Sequence, residues 1–299
     1  MSKAIVVGVD GAWRRSGALD WAVHEATERR MPLRAVHVMD ERMGRVAGAP
    51  VRLDGQVIIP AQVAEADSRL VDDVEKHLVD AALPVDAGTD VLVGSPDRRL
   101  AELSAEAALT VVGRHGSGGF ARALIGSTSE YVAMHGTGPV VVVPQTWRWA
   151  EHRTAPIVVG VGDHDDSEAG IAFGYELAAL RGVPIWLVHA WEVTMPYSYD
   201  ITTAPEMSDA LKQLARRRLD AVADRWQTRF PNVHSERSLQ QNHAVQALLD
   251  VAETTAAQLT VVGGRRHRMP GLIPGSVARG ILRHATTPVA VVHESSSVG

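Results

Sequence analysis

Short apolar runs alternate along this chain with longer stretches in which apolar positions recur every three or four residues. In the first half the runs lie near residues 4–9, 33–39, 85–93, 109–113 and 139–143, and the amphipathic stretches near 16–30, 61–82, 97–107 and 127–136. The stretch 61–82 shows the helical period well, with Val63, Leu70, Val71, Val74, Leu78 and Val79 on one side. The runs are nearly all apolar instead of alternating, which marks a parallel sheet covered on both faces. Five such strand–helix units read as a doubly wound, Rossmann-like α/β domain. Segment 40–60 has mixed character and reads as a loop over the carboxyl edge of the sheet.

The pattern then repeats. Ile5-Val6-Val7-Gly8-Val9 returns as Ile157-Val158-Val159-Gly160-Val161, 152 residues later, and Val36-His37-Val38 returns as Val188-His189-Ala190 at the same offset. Leu109-Thr110-Val111-Val112-Gly113 returns as Leu259-Thr260-Val261-Val262-Gly263, and Pro139–Val143 as Pro288–Val292. Four blocks in the same order at a near-constant spacing make the chain a tandem duplication. The expected architecture is two doubly wound, five-stranded parallel α/β domains, residues 1–144 and 157–299, packed as a pseudo-dimer. Residues 145–156 form the linker, and its Trp147 and Trp149 are expected to pack on a domain surface.

Composition narrows the function. The chain has 299 residues, 45% hydrophobic and 22% charged, which suits a soluble globular protein of two domains. There are no cysteines, so disulfides, thiolate metal sites and thiol nucleophiles are excluded. The net charge of −5 gives no general attraction for nucleic acid. The apolar runs are far shorter than a membrane span, and Met1-Ser2-Lys3 leads directly into a strand, so a cytoplasmic location is expected. Lys3, Lys76 and Lys212 are the only lysines and none follows a glycine, which excludes a Walker A loop. HExxH and GxSxG are absent as well.

Ligands of doubly wound sheets sit beyond the carboxyl ends of the strands. There the first half carries Gly113-Arg114-His115-Gly116-Ser117-Gly118-Gly119, followed by Gly126-Ser127-Thr128 at the start of a helical stretch. Gly113 and Gly116 would let backbone N–H groups approach an anion without a Cβ in the way. Gly126-Ser127 opens a helix whose N-terminal N–H groups and dipole favour phosphate. Ser127 and Thr128 add hydroxyls, and Arg114 and His115 side chains. The alternative reading is a flexible glycine loop and an ordinary helix cap. Asp10, at the end of the first strand, suits a ribose hydroxyl or Mg²⁺, or else an Asx turn.

The spacing Gly113-x2-Gly116-x9-Gly126-Ser127 resembles the nucleotide loop of the ATP-binding universal stress proteins. Ile5–Gly11 is similar to their first strand and following loop, Pro139–Val143 to their last strand, and the likeness spans nearly the whole chain. The resemblance implies ATP, with or without Mg²⁺, held between the ends of strands one, two and four. Gly8 and Asp10 would line the ribose and phosphate side, and Val38 would meet adenine or simply pack in its strand. Residues 113–119, Ser127 and Thr128 would take the phosphates.

The second half departs from this pattern. Gly160 and Gly263 survive, but Gly162 stands where Asp10 would be, with Asp163 one residue on, and Arg266 replaces the second glycine of the loop. Gly263 to Gly275 spans 12 residues against 13 from Gly113 to Gly126, and Gly275-Ser276 still opens a helix. Either the arginines take over phosphate contacts or this half is a structural partner. Asp163-His164-Asp165-Asp166 reads as helix capping before a metal cluster, because adjacent residues cannot all converge on one ion.

Gly116–Ala121 fits a dinucleotide GxGxxG string, but it follows the fourth strand and lacks the acidic partner. Ser117-Gly118-Gly119 is similar to the SGGxDS loop of adenylating pyrophosphatases, without its Asp or its position. His24, His37, His77 and His189 read as packing or surface residues. The functional expectation is a nucleotide-dependent stress-response or regulatory module with an unidentified protein partner, acting as an intrachain pseudo-dimer or a homodimer. No catalytic base is identified. A nucleotide-independent scaffold paired through Val140–Val143 and Val289–Val292, or a slow ATPase, are the alternatives.

Overall fold

A computed structural model describes residues 3–40, 52–53, 56–57, 61–116, 125–162, 167–192, 204–264 and 275–293. The chain divides into two compact units, Met1–Arg148 and Trp149–Gly299. The first unit runs β1 (Ile5–Val9), α1 (Trp13–Ser16), α2 (Ala18–Arg29), β2 (Leu33–Asp40), β3 (Arg52–Leu53), β4 (Gln56–Val57), α3 (Ala61–Asp80), β5 (Ala87–Gly94), α4 (Pro96–Leu103), β6 (Leu109–Gly113), α5 (Ser127–His135) and β7 (Val140–Val143). The second runs β8 (Ile157–Gly160), α6 (Glu168–Arg181), β9 (Ile185–Trp191), α7 (Ala204–Arg229), β10 (Ser235–Gln241), α8 (Ala244–Thr254), β11 (Leu259–Gly264), α9 (Ser276–His284) and β12 (Val289–His293).

In the first unit five strands pair in the order β7-β6-β1-β2-β5, every pair parallel. The second unit repeats this as β12-β11-β8-β9-β10. Each unit is therefore the expected doubly wound α/β domain. The direction of winding reverses between β1 and β6, and between β8 and β11. These reversals open a crevice at the carboxyl ends of the strands. The central strands supply the cores, with Ile5, Val7, Leu33, Val111, Ile157, Val159, Ile185 and Val261 completely buried. The edge strands obey a different rule. β5 contains Thr89 and Asp90, β10 reads SERSLQQ, and both are largely half-exposed, as fits a strand with one neighbour.

Several elements differ in detail from the pattern-based expectation. The helix expected near 16–30 is broken by Gly17, whose φ of +66° joins α1 to α2. The helix expected near 97–107 ends at Leu103. On α3, Val74 and Leu78 are buried but Val79 is 71% exposed, so the buried stripe is narrower than the apolar pattern suggested. Segment 40–60 contains the small antiparallel pair β3–β4, and the rest of it beyond Asp40 lies outside the described residues. Trp147 and Trp149 are both buried. Trp149 lies under the Arg181 guanidinium at 4.2 Å, a cation–π contact.

Candidate functional site

β1 delivers Asp10 to the carboxyl end of the first sheet. One oxygen of this carboxylate, Oδ1, accepts the Ala12 N–H at 2.9 Å, which makes the Asx turn that starts α1. The other oxygen faces the glycine loop, since a Cβ added to Gly116 would lie 2.4 Å from Asp10 Oδ2. The capping role of Asp10 and its place beside the loop therefore coexist.

β6 delivers the loop itself. The Arg114 N–H donates to the Val143 carbonyl at 2.8 Å and extends the β6–β7 pairing by one residue. Beyond it the two ends of the loop are tied together. Gly126 N–H donates to Arg114 O at 2.8 Å, and the Ser129 hydroxyl donates to Gly113 O at 2.5 Å. These bonds hold the first turn of α5 against the end of β6. Intrahelical bonding begins with Glu130 N–H to Gly126 O, so helix geometry assigns no partner to the N–H groups of Ser127, Thr128 and Ser129. Gly126 caps the helix in an extended conformation and brings no side-chain oxygen to compete for those donors. Arg114 is half-buried, and that burial draws its guanidinium below the ordinary arginine value.

The glycines serve close approach and not left-handed backbone. Gly113, Gly116 and Gly126 are absent from the positive-φ glycines of the described residues. A Cβ at Gly113 would stand 2.9 Å from Ser16 Cβ, and one at Gly126 would stand 3.2 Å from Arg114 O. Gly8 makes room for Leu100 of α4, whose Cδ1 would be 2.9 Å from an added Cβ. Val38 is buried in β2, one residue past the last pair with β1. His115 borders the loop, its Cα 3.7 Å from where a Gly126 Cβ would lie. Ser117, Gly118 and Gly119 lie outside the described residues, as do Arg266 and Asp163–Asp166.

The corresponding corner of the second unit is built differently. Gly160 accommodates Leu248 as Gly8 accommodates Leu100. β11 continues past Gly263 to Gly264, and the His293 ring fills the space beside it, with Nδ1 2.1 Å from an added Cβ and 3.2 Å from Gly264 O. Gly275 caps α9 with a φ of +71°, where Gly126 is extended, and Ser276 begins the helix. Gly162, in place of Asp10, donates its N–H to Ser167 Oγ at 3.3 Å.

Three residues at the first site were not singled out for it from the sequence: Ser16, Ser129 and His37. Serine and histidine are common in such positions, and only tertiary contact distinguishes these. The repeat did offer one signal. His37 and His189 share a register position, and both prove to be buried with Nδ1 on a carbonyl at the end of the neighbouring strand, Val9 at 3.1 Å in β1 and Val161, one residue past β8, at 2.8 Å. Among the described residues, no three His, Asp or Glu side chains gather to hold a metal. Asp10 alone could complete the shell of an Mg²⁺ whose other ligands are phosphate and water. Among the described residues the arrangement offers main-chain donors, one arginine and one carboxylate, and no nucleophile–base pair is identified.

A model of the universal stress protein family matches residues 1–144 and 154–293. A universal stress protein of Mycobacterium bovis is 31% identical over 310 residues, covering 96% of this chain and 94% of its own. One of Mycobacterium tuberculosis is 30% identical over 308 residues, covering 98% and 97%. The crystal structure of a universal stress protein from Archaeoglobus fulgidus aligns with 98% of this chain and 99% of its own at a TM-score of 0.69 and 14% identity, a likeness of fold. No helix among the described residues is long and apolar enough to cross a membrane.

Proposed function

The chain belongs to the universal stress protein family, and we propose that its first half binds ATP as a nucleotide-dependent regulatory module. The observation that carries this reading is the convergence of three separate elements: the Asp10 carboxylate against Gly116, the Gly126 amide on Arg114 O, and the first turn of α5 held at the end of β6. N–H groups at a helix N-terminus favour phosphate through their unpaired hydrogens and the helix dipole. Asp10 would repel a bare phosphate, so its role is to accept a ribose hydroxyl or to hold Mg²⁺ between itself and the phosphates. The regulatory effect follows from mass action, since a ligand that binds the folded state alone stabilises it by about 2.7 kcal/mol at a hundredfold excess over Kd.

The second half is a structural partner in this reading. Gly162 stands in the place of Asp10, and the His293 ring occupies the corner beside Gly264.

Thermal unfolding with ATP, AMP and GTP tests the proposal. ATP raises the midpoint of the wild-type protein, and Gly126→Asp abolishes the rise. The substitution is informative because Asp is itself a favoured N-cap. The helix keeps its cap, the Arg114 carbonyl 3.2 Å from the new Cβ gives way slightly, and a fixed negative charge takes the place of the anion. A wild-type protein whose midpoint no nucleotide moves would overturn the reading.

A further inference from the structure

Among the described residues five large apolar side chains are exposed, and four of them lie in two places: Val79 on α3 with Val91 on β5, and Leu211 with Leu214 on α7. Each helix commits one face to its own unit, through Val74 and Leu78 on α3 and through Ala215, Leu219, Ala223 and Trp226 on α7. A second stripe runs beside each buried face. On α3 it is Glu65, Ser68, Asp72, Glu75 and Val79. On α7 it is Leu211, Leu214, Arg218, Ala221 and Arg225. All ten residues are exposed. Both stripes advance by steps of three and four residues in alternation, which keeps their side chains on one side of a helix. The Thr89 hydroxyl reaches Glu75 Oε2 at 3.3 Å, and Val91 lies two residues farther along the same face of β5, so it borders the α3 stripe.

The two stripes are complementary in charge and in order. The α3 stripe carries Glu65, Asp72 and Glu75 and no cation, and the α7 stripe carries Arg218 and Arg225 and no anion. Run antiparallel, they bring Glu65 level with Arg225, Asp72 with Arg218 and Val79 with Leu211. At the helical rise of about 1.5 Å per residue, these pairs coincide along the axis to within about 1.5 Å. Run parallel, they would set Glu65 against Leu211 and Val79 against Arg225, so the order favours the antiparallel arrangement. Glu65 pairs with Arg69, and Arg225 with Glu168, inside the chain. Exposed ion pairs of this kind contribute little, and these groups stay available to a new partner.

We propose that α3 of one copy of this chain docks antiparallel on α7 of a second copy, so that the protein self-associates. Every copy carries one stripe of each sign. Asp72 and Arg218 meet at the centre of the contact, and Val79 packs on Leu211 at one end. The proposal does not rest on the nucleotide reading of the first half. One helix pair is smaller than the roughly 1,600 Å² of a standard interface. The association is therefore weak, and it falls with added salt because its charges lie at the surface.

Sedimentation velocity of the full chain, over a concentration series in low and in high salt, tests this. The wild-type protein associates in low salt and dissociates in high salt. Asp72→Arg and Arg218→Glu each set like charges together at the centre and weaken association by about tenfold or more. A chain carrying both substitutions pairs opposite charges again and regains wild-type association, and so does a mixture of the two single variants. Should a reversal prevent folding, Asp72→Asn and Arg218→Gln remove the central charge pair alone, with a smaller loss and a flatter salt dependence. A wild-type chain that stays monomeric in low salt at every concentration would overturn the proposal. Association untouched by the single reversals would overturn it too, by assigning the contact to another surface, as would a double variant that fails to recover.

Discussion

Gly116 lies so close to the carboxylate of Asp10 that a Cβ on it would stand 2.4 Å from Oδ2. The two residues are more than a hundred positions apart and come from different strand ends. The atom in the way is the tip of a side chain and can swing aside. Gly116→Ala is therefore expected to leave stability within about 0.5 kcal/mol, as for ordinary surface changes. It displaces Asp10 and weakens ATP binding by roughly tenfold, or about 1.4 kcal/mol. Calorimetric titration alongside urea unfolding separates the two effects. Unchanged affinity would show that Asp10 does not face the ligand.

Gly17 behaves in the opposite way. Its φ is +66°, and an added Cβ would lie 3.2 Å and 3.3 Å from the rigid carbonyls of Trp147 and Pro144. Gly182 has nearly the same φ, +63°, with nothing within 4 Å of the added atom. Gly182→Ala is expected to cost about 1 kcal/mol for left-handed backbone alone. Gly17→Ala should cost more, about 2 kcal/mol or above, because crowding adds to the backbone term. Urea midpoints of the two variants measure the difference, and equal losses would remove the crowding argument.

Tyr175 is completely buried among Trp226 and Phe230, with ring centroids 5.6 Å and 5.5 Å away. Burial raises its phenol above the ordinary tyrosine value. The folded state then keeps a proton that the unfolded chain releases near its ordinary value of about 10. The sign follows: the fold binds more protons in that range, so stability falls as pH rises above about 10. Tyr175→Phe removes this contribution. Its alkaline unfolding limb, followed by circular dichroism, should be shallower than that of wild type, and an identical limb would place the alkaline loss elsewhere.

Much of the architecture was legible without coordinates. Continuous apolar runs such as Ile5–Val9 and Leu109–Gly113 form strands because both faces of a central parallel strand are covered, and the spacing of Gly113, Gly116 and Gly126 marked the loop. Val79 was misread because a helix-period pattern records which residues are apolar and not how wide a stripe its neighbours cover. Gly17 was read as helix interior because an apolar period does not record a left-handed φ, and the carbonyls of Trp147 and Pro144 that lie against it come from the far end of the unit.

The amino-acid order by itself determined the duplication, the strand–helix alternation and the loop spacing. These are local or periodic properties, carried by apolar runs and by residues whose backbone tolerates close contact. Only the tertiary structure decided that Gly116 lies against Asp10 and that His37 stands between Asp67 and Val9. Each meets a neighbour tens of residues away, and which side chains meet at the carboxyl end of a sheet is set by strand order and by the docking of α3, neither of which any short stretch of sequence encodes.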